Sequence, residues 1–205
     1  MLVRFAAVAL VLLLALVPRA EAQSLPFQLD LDTGSFLYGN GQSLLEVYVS
    51  VGVHTLEFES SEEGYEASLP VTLMVAPASS SAPEGTSPEA VFEQTLDLRF
   101  VLPDSFALGR VMEMGREYVE QVRTTVPPGE YDVIAVVPGD ANSGRSELEL
   151  RVNDIAIPDY EAVEGAAVSS IQLASAIGRA TEGADEFVKS GLEIQPNPTQ
   201  VFEMD

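Results

Sequence analysis

Residues 124–137, Thr-Thr-Val-Pro-Pro-Gly-Glu-Tyr-Asp-Val-Ile-Ala-Val-Val, leave the backbone few choices. Pro127 fixes its own φ, Pro128 keeps Pro127 out of the helical region, and Gly129 admits positive φ, so the trio predicts a tight turn. A run dominated by β-branched residues follows, with Tyr131 near its start, and predicts a strand. Similar strand–turn–strand units lie on both sides. Turns spaced about eight to twelve residues apart, short alternating strands and almost no helix predict an all-β chain: an immunoglobulin-like β-sandwich of about seven to nine strands.

Taken in order, Phe27, Leu29 and Leu31 alternate with Gln28, Asp30 and Asp32, the period of a strand with one wet face. Residues 34–42 hold three glycines and an asparagine and predict a loop. Residues 45–51 predict the next strand, and 54–58 another, with Leu56 and Phe58 pointing together. Glu62-Glu63-Gly64 predicts a turn. Strand pattern resumes over 65–75, where Pro70 marks an edge or a bulge. Residues 76–88 are low in complexity and predict a mobile loop. Residues 90–102 predict a strand with Leu96, Leu98 and Phe100 in step, ended by a turn at Pro103-Asp104. Residues 111–122 fit strand and helix spacing alike. A hairpin partner ahead of the Pro-Pro-Gly turn is the economical choice, so a strand is predicted there.

Residues 131–137, a turn over 139–144 and a strand over 147–152 then predict a hairpin. Residues 159–165 predict a loop, and Val168, Ile171, Ala174 and Ile177 a short helix. Residues 187–194 begin an extended piece that Pro196-Asn197-Pro198 breaks. The expected organisation is a leader (1–22), a β-sandwich domain (23–160), a linker with a short helix (161–186) and the truncated start of a second β domain (187–205).

The leader reading rests on Arg4, an apolar run over residues 5–17, Pro18, and the small-x-small pattern Ala20-Glu21-Ala22. The run is short for a spanning helix, which needs about 20 apolar residues, so export to the periplasm or the cell exterior, without stable membrane insertion after cleavage, is expected. Cysteine is absent, which excludes disulfides and thiol chemistry. The chain carries 32 acidic against 10 basic residues, and Lys189 is its only lysine. Such a surface repels nucleic acid and anionic lipid. The acids are dispersed, as on a solvated surface suited to high salt, although a cation- or carbohydrate-binding role for acidic loops stands as an alternative.

Asp32-Thr33-Gly34-Ser35 matches the aspartic-protease motif, in which two aspartates share a proton and activate water. One copy requires a homodimer, and Ala107-Leu108-Gly109-Arg110 resembles the element that braces that loop. Yet Asp30 stands where that family carries an apolar residue, so a glycine turn closing an edge strand is the simpler expectation. Asp140-Ala141-Asn142-Ser143-Gly144 echoes a calcium loop, but its glycine comes one place early and Arg151 occupies the position of the bidentate glutamate, which leaves a plain hairpin turn. His54 is the sole histidine, so no His-based metal cluster or Ser-His-Asp triad forms within one chain. It is expected in a strand near the surface. Asn197-Pro198-Thr199 carries proline at the place forbidden in a glycosylation site.

Leu45-Glu46-Val47-Tyr48, then Leu56-Glu57-Phe58 with Gly64-Tyr65, Pro127-Pro128-Gly129-Glu130-Tyr131, residues 169–174 (Ser-Ser-Ile-Gln-Leu-Ala), Phe187 with Gly191, and Pro196-Asn197-Pro198 form an ordered set. That set resembles the N-terminal region of the GWxTD-domain proteins, a bacterial envelope family without an established activity. Ser170 stands where family members tend to carry Asp, and the tryptophan of the name-giving signature has no counterpart. The resemblance implies a truncated member holding the sandwich region, and it brings no catalytic residues. The expectation is therefore an exported, non-enzymatic sandwich: a structural or interaction module of the cell envelope with a protein partner there and no cofactor. Tyr48 and Tyr65 would serve as apolar anchors if exposed. The homodimeric protease using Asp32 is the remaining alternative.

Overall fold

The computed structural model describes residues 27–81, 88–140, 146–181 and 187–200. The expected leader, and the parts of the expected loop (76–88) and turn (139–144) that fall on 82–87 and 141–144, lie outside the described residues.

Leu29–Gly39 (β1) and Gln42–Gly52 (β2) form a long antiparallel hairpin. Gly39, Asn40 and Gly41 all take positive φ, a requirement that Gly-Asn-Gly meets at little cost. After Glu59–Ser61 (β3), Gly64–Pro77 (β4) pairs from Tyr65 to Val75 with Phe92–Leu102 (β5). A helix, Ser105–Met114 (α1), carries the chain across to Glu117–Val126 (β6), which lies beside β2. The chain then crosses back into Gly129–Val137 (β7), beside β4, and returns as Leu148–Ile157 (β8). One sheet therefore runs β1-β2-β6 and the other β5-β4-β7-β8, with β3 on the β7 side of β4. Ala174–Arg179 (β9), Val188–Lys189 (β10) and Leu192–Pro196 (β11) form a third, small sheet in the order β10-β11-β9.

The sheets are antiparallel throughout and the two larger ones share one core, as expected for an all-β sandwich. Leu45, Val47, Val49 and Val51 of β2 face Leu69, Val71, Leu73 and Val75 of β4 and Val133, Ala135 and Val137 of β7. Alternation places every second residue inward, so β2 and β7 each add four side chains to the core and β4 adds five. At the flank, Phe100 of β5 meets Tyr118 of β6 edge to face, with ring centroids 5.3 Å apart.

Several expectations are corrected. Residues 34–39 are strand, not loop, because the β1–β2 ladder continues through Gly34 to the hairpin tip. Residues 54–58 are not a strand: Val53–Thr55 forms a 3-10 turn, held by the Thr55 hydroxyl on the Gly52 carbonyl. His54 sits in that turn, half-buried, with Nδ1 enclosed and unpartnered. Pro70 lies in a central strand, yet it falls between the stretches of β4 that pair with β3 and β7, so its missing N–H removes no bond from that side.

Residues 111–122 are split. The Asp104 side chain caps the Ala107 N–H at 2.8 Å, Gly115 closes the helix in the left-handed region, and the strand begins at Glu117. The Pro-Pro-Gly turn joins strands of different sheets, so β6 and β7 are not a hairpin. It is a corner, fixed by the Tyr131 hydroxyl donating 2.9 Å to the Pro127 carbonyl. The helix expected over residues 168–177 is absent: 168–173 are irregular and β9 follows, so part of the expected linker pairs with the extended piece after Phe187.

Candidate functional site

Alternation gives Glu46, Tyr48 and Ser50 of β2 to the outer face of the β1-β2-β6 sheet, where solvent is the usual neighbour. They are instead buried, Glu46 to 2% and Tyr48 to 1% exposure. Register sets Tyr48 between Asp32 and Gln121, and Glu46 between Gly34 and Arg123. The segment from Ser170 to the small sheet covers them. Lys189, on β10, reaches down to donate to Glu46 Oε2 at 2.5 Å, to the Gln172 amide oxygen at 2.9 Å and to the Tyr48 hydroxyl at 3.3 Å. Its ammonium lies 4.3 Å from the centre of the Phe36 ring, a cation–π contact. Gly34 makes room for that ring, since a Cβ there would stand 3.1 Å from the nearest ring carbon.

The Tyr48 hydroxyl donates to Glu46 and accepts from Gln121 Nε2 at 2.9 Å; the Gln172 side chain bonds it as well. Arg123 Nε donates to the other Glu46 oxygen at 3.2 Å. Burial, and then the hydrogen bond and negative charge of Glu46, push the Tyr48 phenol well above its ordinary value, so it stays protonated. Every polar group of this cluster has a partner. Ser50, the next outward residue of β2, has a buried hydroxyl with none.

The edge of β1 is closed by the same covering segment. Ser35 N–H donates to Ser170 Oγ at 3.0 Å and its carbonyl accepts from Ser170 N–H at 3.0 Å. Tyr160 adds a 2.9 Å bond to the Ser35 carbonyl. Two backbone groups that would otherwise invite another strand are thereby satisfied.

Asp32-Thr33-Gly34-Ser35 runs straight along β1, paired with Tyr48, Val47, Glu46 and Leu45, so Gly34 is mid-strand rather than in a turn. Burial lifts the Asp32 carboxyl above its ordinary value, against bonds from the Thr33 amide and the Gln200 side chain. Residues 107–110, the expected brace, belong to α1, which packs against the 3-10 turn, β4 and β5. Of the two tyrosines that would anchor a partner if exposed, Tyr48 is buried in this cluster and Tyr65 is half-buried. Among the described residues no three His, Asp or Glu side chains converge to hold a metal, and no helix is long and apolar enough to cross a membrane.

A second buried carboxylate, Asp132 on β7, faces outward from the other sheet. It accepts from Ser79 N–H at 3.1 Å, Ser79 Oγ at 2.7 Å and Asp154 N–H at 3.0 Å, with Arg151 at 3.4 Å. These contacts tie the turn after β4 to a bulge between β7 and β8. Part of the expected mobile loop is thus fastened at Ser79.

Three of the six segments that carry the family resemblance meet at the first cluster: Glu46 and Tyr48 from one, Gln172 from another, and Lys189 from between Phe187 and Gly191. No family model matches the chain, and no curated protein matches it.

Proposed function

We infer that this is an exported, non-enzymatic β-sandwich of the immunoglobulin kind, acting as a structural or interaction module of the cell envelope. Support for the fold type comes from the strand order and from the Tyr131–Pro127 bond, which has the geometry of a tyrosine corner where the chain passes between sheets. The resemblance to the GWxTD-domain proteins belongs to the same reading and rests on the ordered motifs alone. The observation that carries the interaction role is the apolar surface of the covering segment. Ile171 is 87% and Ile177 66% exposed, and Val168 and Leu192 are also open to solvent. Exposed apolar side chains of this kind along one covering segment mark a contact surface.

The test combines fractionation with substitution. The protein is expected in the envelope or medium of its host, cross-linked there to a partner. Asp at Ile171 and Ile177 together is expected to reduce that cross-link about tenfold or more without altering the melting temperature, since each removes an exposed anchor and no core contact. Retention in the cytoplasm, or cross-linking indifferent to both substitutions, overturns the reading.

A further inference from the structure

Four features of the Lys189 environment exceed what an ion pair requires. Glu46 faces two cations, Arg123 and Lys189, one on each carboxylate oxygen. Arginine keeps its charge in proteins, so of the two only Lys189 has a proton to give. Lys189 also touches a carboxamide, with Gln172 Oε1 2.9 Å from Nζ. A carbonyl bond of ordinary length then places Gln172 Cδ no more than about 4 Å from Nζ, close to attack distance. The Tyr48 hydroxyl bridges Glu46 to the same carboxamide, through Gln172 Nε2 once Oε1 is taken by the lysine. An amine, a carboxylate that accepts its proton, an amide and a hydroxyl leading from carboxylate to amide nitrogen therefore form one closed circuit.

We propose that Lys189 and Gln172 join in an intramolecular isopeptide bond, with Glu46 as base and Tyr48 as proton relay. Glu46 Oε2 takes a proton from the Lys189 ammonium, and the freed Nζ lone pair attacks Gln172 Cδ. The Tyr48 hydroxyl passes its proton to Gln172 Nε2 and is reprotonated from Glu46. The Cδ–Nε2 bond breaks, and ammonia leaves with the proton that Nζ gives up. Lysine ammonium and glutamine amide become a secondary amide and an ammonium ion, with no oxidant or reductant. The Phe36 ring holds Nζ in place from the side. The bond locks the segment carrying Gln172 to the β10–β11 hairpin over the sandwich. It is independent of whether the protein is exported.

A tryptic map of the purified full chain, followed by fragmentation, decides the matter. Lys189 is the only lysine, and the flanking cleavage sites are Arg151 and Arg179. The expected result is no cleavage after Lys189 and one branched peptide joining residues 152–179 to the segment that begins at Ala180, lighter than the sum of its arms by about 17 Da, one ammonia. Cyclisation of a terminal glutamine also releases ammonia, so the branched peptide and not the intact mass is the criterion. Amine-reactive labelling should modify the wild-type chain only at its α-amine, and Lys189→Arg should give separate arms at full mass. Glu46→Gln, which keeps the shape of the cluster, should leave the arms unjoined or join them at least tenfold more slowly. Cleavage after Lys189 in folded wild-type protein, with two linear peptides at full mass, overturns the proposal. So does a loss of water with the branch at Glu46, which would make that residue the acceptor.

Discussion

Glu46→Ala is expected to lower the unfolding free energy by about 3 kcal/mol, the low end for breaking a buried ion pair. In a protein of this size that corresponds to about 6–12 °C in melting temperature. The cost arises because the partners remain. Lys189, Arg123 and the Tyr48 hydroxyl would all lose their shared acceptor while the small sheet still covered them. Since the Lys189 side chain keeps 27% exposure and that of Arg123 45%, water recovers part of the loss, which is why the upper end is not reached. Arg123→Ala, by contrast, should cost under about 1 kcal/mol, as for a largely solvated pair. Denaturant unfolding at pH 7 measures both. A change below about 0.5 kcal/mol for Glu46→Ala, the range of an ordinary surface substitution, would mean that nothing covers the outer face of β2.

Asp132→Ala should cost a similar amount, about 3 kcal/mol, and its effect should depend on pH. Ser79 contributes two donors and the Asp154 amide a third, and each would be left unsatisfied or forced to find water. Burial acts to raise the Asp132 carboxyl, but the bonds from Ser79 and Asp154 and the charge of Arg151 outweigh it and hold the group below its ordinary value. A carboxyl depressed in the folded state adds stability that is fully present above its unfolded value, near about 3.9, and disappears as pH falls through the folded value. The stability gap between wild type and Asp132→Asn should therefore be widest at neutral pH and close progressively below about pH 4. A gap that stays constant down to acid pH would show that the charge of Asp132 plays no part.

Much of the sandwich is legible in the residues themselves. β2 alternates large apolar side chains at Leu45, Val47, Val49 and Val51, β5 does so from Leu96 to Leu102, and β7 is a continuous apolar run from Val133 to Val137, all patterns of strand. The errors fall where local chemistry admits two outcomes. Pro127-Pro128-Gly129 closes a hairpin and turns a corner between sheets equally well; the choice is made by which neighbour β6 finds, and that neighbour is β2, far back in the chain. The helix hides in the sequence because Asp104 and Gly115, its two stops, fit a turn and an ambiguous strand-or-helix stretch as well. Gly34 looked like a loop residue, but it is glycine to admit the Phe36 ring.

The candidate site was not legible as a site. Glu46 and Lys189 lie 143 positions apart, and alternation by itself assigns Tyr48 and Glu46 to a wet face. One signal was nevertheless present, a lysine that occurs once in a strongly acidic chain.

The docking of the small sheet on the sandwich is tested most directly by the position of the Lys189 side chain. Because Lys189 is the only lysine, selective isotope labelling yields a single ε-methylene signal in a two-dimensional spectrum. With Nζ 4.3 Å above the Phe36 ring, whether as amine or as amide, that signal should be shifted upfield by the ring current and show nuclear Overhauser contacts to the Phe36 and Tyr48 ring protons. Phe36→Leu should remove the shift. An ε-methylene signal at its free-lysine position, without contacts to either ring in the folded wild-type protein, would contradict the docked arrangement and the cluster built on it.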